Sequence, residues 1–155
     1  MKLNAGCGKN TWGDIRIDID PKVKGLTHVM DICKMTFHDK YFDETRCISV
    51  LEHIRDWRKA IKELCRVTKG SLLIEVPVNS NILITDIFRI LIPSPRNIML
   101  FLTRKKRNEE TFHQFDPEII KKEIEDQGFK VKYGKIFQIY ESYPSRCWRL
   151  ECFRN

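Results

Sequence analysis

The residues best equipped for chemistry lie near the start of the chain. There a turn with two glycines, Asn4-Ala5-Gly6-Cys7-Gly8, precedes two acids, Asp18 and Asp31, each at the end of a strand-like run. Glycine lets a turn enter left-handed backbone and brings main chain close to a ligand, and carboxylates beyond the next two strands can accept hydrogen bonds from hydroxyl and amine groups. Together they outline a nucleoside site. Either acid alone could simply cap a turn, and Asp20 rivals Asp18, but the glycine turn upstream favours a ligand. The spacing disfavours a dinucleotide, whose fingerprint sets Gly-x-Gly-x-x-Gly at a helix N-terminus facing phosphate, with the acid about 20 residues on. Here ten positions separate Gly8 from Asp18, and they include Thr11-Trp12-Gly13-Asp14, leaving little room for a helix.

Proton-transfer candidates are His53 and His113, because a neutral imidazole titrates near working pH. His53 follows a strand and could instead cap the next helix; for His113 packing is an equal alternative. His28 and His38 lie in or after the third strand and read as packing residues. The six cysteines, at 7, 33, 47, 65, 147 and 152, form no Cys-x-x-Cys pair and no zinc spacing, so no metal is expected. Cys7, inside the glycine turn, reads as a small apolar filler.

These residues need a scaffold. Short apolar runs at 2–5, 15–19, 27–30, 46–50 and 71–76 alternate with helical stretches, as in a mainly parallel sheet with covering helices. Asp56 as N-cap, followed by Trp57, Ala60, Ile61, Leu64 and Cys65 at three- and four-residue spacings, predicts a helix over 57–67 ending near Gly70. A second helix is signalled by Asp116, Pro117, Ile120 and Ile124, with Gly128 past its end. Runs at 129–141 and 146–153, separated by Ser142-Tyr143-Pro144-Ser145, predict a closing antiparallel hairpin. The chain of 155 residues suits one domain, 1–155, that folds without staples. Its first strand begins at Lys2, so no N-terminal extension is expected to cover the ligand. With no signal-peptide pattern, a cytoplasmic protein with reduced thiols is expected.

The stretch 79–113 is the least typical. Apolar residues dominate 82–102, interrupted by Asp86, Arg89 and Pro93-Ser94-Pro95-Arg96, and Arg104-Lys105-Lys106-Arg107 follows. The prolines and charges argue against a bilayer-spanning helix. A lid over the pocket, a homodimer contact through 82–102, or peripheral attachment to an anionic membrane through the basic run are the readings left open. The formal charge of +7 favours anionic partners, nucleic acid included, without choosing among them.

The motifs carry a resemblance. Leu3-Asn4-Ala5-Gly6-Cys7-Gly8, Ile17-Asp18-Ile19, Met30-Asp31-Ile32, Phe42-Asp43, Val50-Leu51-Glu52-His53 and Leu64-Cys65-Arg66-Val67 resemble, in order, the motifs of class I S-adenosylmethionine-dependent methyltransferases. The likeness is to the type-11 group of glycan and other small-molecule methyltransferases. It implies a Rossmann-like α/β fold whose mostly parallel seven-stranded sheet has an antiparallel last strand. It also implies S-adenosylmethionine as cofactor, which has no phosphate and so tolerates the missing helix. Residues 4–8 would meet its methionine part, and Asp18 its ribose. Ile19 would lie against adenine, Asp31 and the Ile32 backbone would recognise the adenine amine, and Ser49, Val50 and Leu51 would line the methionine side. The chain departs from the group at Thr68-Lys69-Gly70, where a Pro-Gly-Gly turn is usual. It also lacks the Asn-Pro-Pro-Tyr type motif of amine methylation, reading Ser49-Val50-Leu51-Glu52 instead.

Because a sulfonium already activates its methyl group, the protein must mainly hold a nucleophile in line, exclude water and accept a proton. The expectation is methyl transfer to a small-molecule, glycan or lipid-linked acceptor at oxygen. The alternatives are an RNA or other nucleic-acid methyltransferase, or a cofactor-binding scaffold without turnover.

Overall fold

A computed structural model describes residues 1–77, 115–140 and 143–154. The 79–113 stretch as a unit, with His113 and the basic run at 104–107, lies outside the described residues. Seven strands form one sheet in the order β3-β2-β1-β4-β5-β7-β6. They are β1 (Lys2–Ala5), β2 (Ile15–Asp18), β3 (His28–Val29), β4 (Phe42–Ile48), β5 (Thr68–Pro77), β6 (Phe129–Tyr140) and β7 (Tyr143–Arg154). Neighbours from β3 to β5 pair in parallel, while β7 runs antiparallel to both β5 and β6. The expected sheet, antiparallel in its last strand, is the observed one.

Helix α1 (Trp57–Val67) has the predicted bounds and buries Trp57, Ala60, Ile61, Leu64 and Cys65, with the Asp56 carboxylate accepting the Lys59 N–H. Helix α2 (Pro117–Glu125) opens on Asp116 and buries Ile120 and Ile124; Gly128 beyond it has φ +83°. Both helices join the core cluster of Leu3, Cys47, Leu72, Ile74 and Leu150 on one sheet face. On the other face, register aligns Lys2 with Glu44 and Asn4 with both Arg16 and Arg46.

Three strand starts differ from the sequence reading by three residues or more. β4 starts at Phe42, four residues early, because Phe42 and Thr45 are fully buried while Asp43 is exposed. β5 starts at Thr68, directly after α1. Gly70 therefore stands inside a strand, where Phe42 pairs with Thr68 but Glu44 pairs with Ser71. In this bulge a Cβ on Gly70 would sit 2.5 Å from the Asp43 carbonyl oxygen, so close backbone approach demands glycine. β6 ends at Tyr140 and β7 begins at Tyr143, so Tyr143 to Ser145 belong to a strand. Pro144 pairs with Ile139 of β6 and lies beyond the β5 pairing that ends at Pro77–Cys147, so its missing N–H costs no bond to β5.

The abrupt change from α1 to β5 is held by a buried hydroxyl pair. Thr68 Oγ1 lies 2.6 Å from the Leu64 carbonyl oxygen and 2.7 Å from Thr45 Oγ1. With one proton it donates to the carbonyl and accepts from Thr45. Thr68→Val is expected to cost about 1–2 kcal/mol, read as a Tm loss of about 2–8 °C. A calorimetric Tm equal to wild type would contradict this role.

Candidate functional site

The site begins at the carboxyl end of β1. The N–H groups of Gly6 and Cys7 both donate to the Ile17 carbonyl, at 2.9 and 3.0 Å, and the Gly8 N–H donates to Asp18 Oδ2 at 3.0 Å. Gly6 has φ +70° and Gly8 +49°, in the left-handed region where a side chain adds strain. Asp18 Oδ1 also accepts the Asp20 N–H, while Asp20 Oδ1 accepts the Lys22 N–H. Both acids cap turns, and what separates them is that Asp18 lines the adjoining cavity and Asp20 does not. Asp31 caps a 3-10 turn, Ile32–Lys34, its Oδ1 taking the Cys33 N–H at 2.8 Å. The acids therefore both brace turns and face a cavity; the two roles coexist.

That cavity measures about 780 Å³, the size of a small-molecule site. Of the residues named from sequence, Gly6, Gly8, Asp18, Ile19, Asp31, Ile32, Ser49, Val50 and His53 line it. Asn4, Ala5, Cys7 and Leu51 are buried and do not line it. Ile19 is 71% exposed, an apolar side chain standing in a polar-rimmed hollow where a flat ring can cover it. Ser49 holds φ +53°, strained for a residue with a side chain, and its N–H donates to the Glu75 carbonyl at 2.9 Å.

Sequence reasoning missed a second wall: Met30, Cys33, Ile54, Arg55, Asp56 and Lys59. It arises because the 3-10 turn after β3 packs on the start of α1, with the Cys33 thiol 3.7 Å from the Asp56 carbonyl oxygen. One signal was available: loops at the carboxyl ends of parallel strands line the ligand crevice, and 49–56 follows β4. Burial, and then the charges of Asp31 and Asp56, raise the Cys33 thiol above its ordinary value, so it stays protonated and weakly nucleophilic. Cys7 is raised in the same way, by burial and then by Asp18.

The His53 side chain is 36% exposed, with Nε2 4.0 Å from Glu52 Oε1, beyond hydrogen-bond reach. His28 meets Phe37 edge-on at 5.8 Å and pairs with Thr27, a packing role. Among the described residues no group of three His, Cys, Asp or Glu side chains could hold a metal. The arrangement offers acceptors for hydroxyls and an amine, apolar surface for a flat base, and an imidazole at the rim.

Comparison with known proteins agrees with this geometry. Residues 15–74, from β2 into β5, match the family model described as a methyltransferase domain, of type 11. No curated protein sequence matches the chain. Among solved structures, the magnesium protoporphyrin IX methyltransferase of Synechocystis PCC 6803 with bound S-adenosylhomocysteine is 18% identical, with a TM-score of 0.66. That match covers 99% of this chain and 74% of the other. A methyltransferase of Methanosarcina mazei, also 18% identical, gives a TM-score of 0.67 over 99% and 91%. The [4+2]-cyclase SpnF, 13% identical, gives 0.64 over 99% and 74%. These likenesses establish the fold, which also carries a cyclase and so does not by itself fix the reaction.

Proposed function

We propose that this chain, whose residues 15–74 match a type-11 methyltransferase domain on the class I fold, uses S-adenosylmethionine to methylate a small-molecule, glycan or lipid-linked acceptor at oxygen. The observation that carries this reading is the cavity bounded by the glycine turn, Asp18 and Asp31, with exposed Ile19 between the acids. Its residues fit the cofactor. Asp18 receives the ribose hydroxyls, Asp31 the adenine amine, and Ile19 and Ile32 cover the base, while Gly6 and Gly8 admit the methionine part. Bound there, the cofactor supplies an activated methyl group on a cationic sulfur. His53 takes the acceptor proton, and Ser49 and Val50 hold the reacting end away from water. At the end of β4, a hydroxyl and apolar side chains stand where amine methylation uses an Asn-Pro-Pro-Tyr motif, which favours oxygen. The net charge of +7 supports RNA as the second reading; salt-sensitive RNA binding and RNA methylation would favour it.

Isothermal titration with S-adenosylmethionine and S-adenosylhomocysteine tests the site. Micromolar binding is expected, weakened about tenfold or more by Asp18→Ala and by Asp31→Ala, since each removes a charged acceptor. A well-folded wild type that binds neither ligand would sink the assignment. For the acceptor step, His53→Ala is expected to retain S-adenosylhomocysteine affinity and lose about 10²–10⁴-fold in turnover on any oxygen acceptor that the wild type methylates. Unchanged turnover would remove His53 as the base.

A further inference from the structure

A nucleoside-binding turn usually leads into a helix that holds it, yet residues 6–14 contain none, and the turn must be held by other means. We propose that Asn4 and the Trp12–Arg46 stack are positioning residues for the cofactor, holding a hydrogen-bonded strap, residues 9–14, that keeps the glycine turn in its binding geometry. The inference rests on the cofactor reading above.

Hydrogen bonds tie the strap to the glycine turn at one end and to β1 at the other. The Asn10 N–H donates to the Cys7 carbonyl at 2.8 Å, tying strap to turn. Asn10 Oδ1 accepts the Trp12 N–H at 2.8 Å. The Asn4 side chain is buried beneath, and its Nδ2 reaches the Trp12 carbonyl at 3.2 Å and the Asn10 carbonyl at 3.4 Å. The far end is pinned where the Lys2 N–H donates to Asp14 Oδ2 at 2.8 Å and the Asp14 N–H returns to the Lys2 carbonyl at 3.0 Å. Arg16 Nη1 takes the Gly13 carbonyl at 2.9 Å.

One side chain of the strap is clamped from the sheet. The Arg46 guanidinium carbon lies 3.8 Å above the Trp12 ring, and Glu44 Oε1 holds the guanidinium through Nε at 3.1 Å and Nη2 at 2.9 Å. A flat cation over indole is the favoured cation–π partner, and register places Arg46 directly beside Asn4. The strap thus rests on two sheet side chains that do not line the cavity. Such a device lowers the ordering cost of binding, because the turn is in place before the ligand arrives.

The test combines amide hydrogen exchange on ligand-free protein with S-adenosylhomocysteine titration. Trp12→Ala and Asn4→Ala should speed exchange at Gly6 and Cys7 and weaken S-adenosylhomocysteine by about tenfold, while amides of β4 and β5 keep their protection. Trp12→Phe, which keeps a stacking face, should retain most of the wild-type affinity. Should Asn4→Ala fail to fold, Trp12→Ala, on the surface loop, still decides. Folded variants that exchange and bind as wild type does would overturn the proposal, as would Trp12→Ala speeding all core amides equally. A wild type that does not bind S-adenosylhomocysteine overturns the cofactor reading and positioning together, whereas binding by wild type and variants alike overturns positioning alone.

Discussion

Gly6→Ala is expected to abolish measurable S-adenosylhomocysteine binding, a loss of about 100-fold or more, because two independent penalties fall on one atom. At φ +70° an alanine pays about 1–2 kcal/mol for left-handed backbone. Its Cβ would also stand 2.5 and 2.7 Å from the two Cγ atoms of Val50 and 3.1 Å from Val50 Cβ. Rotating the valine cannot clear a clash that includes its own Cβ, so the turn and the end of β4 must move apart. Both segments line the cavity. Gly8→Ala separates the penalties: its φ is +49° but nothing lies within 4 Å of its Cβ position, so it should lose only the backbone part, about tenfold. Adding Val50→Ala to Gly6→Ala should return space but not backbone freedom, recovering part of the affinity. Gly6→Ala binding as tightly as wild type would mean that this turn does not cradle the ligand.

Local signals carried much of the fold. Both ends of α1 and the start of α2 were legible because their caps and their apolar spacing agree, with Asp56 and Asp116 both accepting first-turn N–H groups. Strand limits were less legible. Asp43 and Glu44 look like loop residues, yet they sit in β4, where Glu44 pairs with Arg46 on the polar sheet face, Arg46 Nη2 lying 2.9 Å from Glu44 Oε1. Ser142-Tyr143-Pro144-Ser145 has turn chemistry, but pairing with β6 continues through Tyr143 and Pro144, and Pro144 is tolerated because β5 has ended. In each case long-range pairing overrode a local preference.

The same division holds at the site. The glycine turn and the acids at 18 and 31 are local features and were readable, because a positive φ requires glycine and a strand-end carboxylate declares itself. The wall of Ile54, Asp56 and Lys59 was not, since it exists only when the 3-10 turn after β3 meets α1, about 25 residues further on. Asn4 was read as a cofactor contact; its side-chain amide donates to the Asn10 and Trp12 carbonyls. Nothing in residue type distinguishes an amide that meets a ligand from one that supports the loop beside it.

Arg66→Leu is expected to produce the largest loss of stability, about 2–4 kcal/mol, or a Tm fall of about 5–15 °C. In sequence Arg66 is one member of a helix-end motif; in the fold all five of its N–H donors are used. Nε and Nη2 hold the Glu63 carboxylate at 2.7 and 2.9 Å, Nη1 reaches the Phe37 carbonyl at 2.7 Å and Asp39 Oδ1 at 2.8 Å, and Nη2 takes the Met35 carbonyl at 2.9 Å. Glu63 Oε2 in turn accepts the Met35 N–H. One guanidinium therefore fastens α1 to the segment between the 3-10 turn and β4, directly behind the cavity wall that carries Asp31 and Cys33. Leucine would leave two carbonyls and a half-buried carboxylate without their partner. Lysine, a point charge that cannot fork, should recover less than half of the loss. The acid dependence gives a second readout. The hydrogen bond from Arg66 leads the effects that hold the Glu63 carboxyl below its ordinary value of 4.5. A carboxyl depressed by folding contributes stability that is complete above its unfolded value and disappears as the pH falls through the folded one. Wild-type stability should therefore decline below about pH 4.5, and Arg66→Leu, already without that contribution, should decline less steeply across the same range. Parallel acid profiles for the two proteins, measured by urea unfolding, would show that the Glu63–Arg66 pair does not clamp the wall.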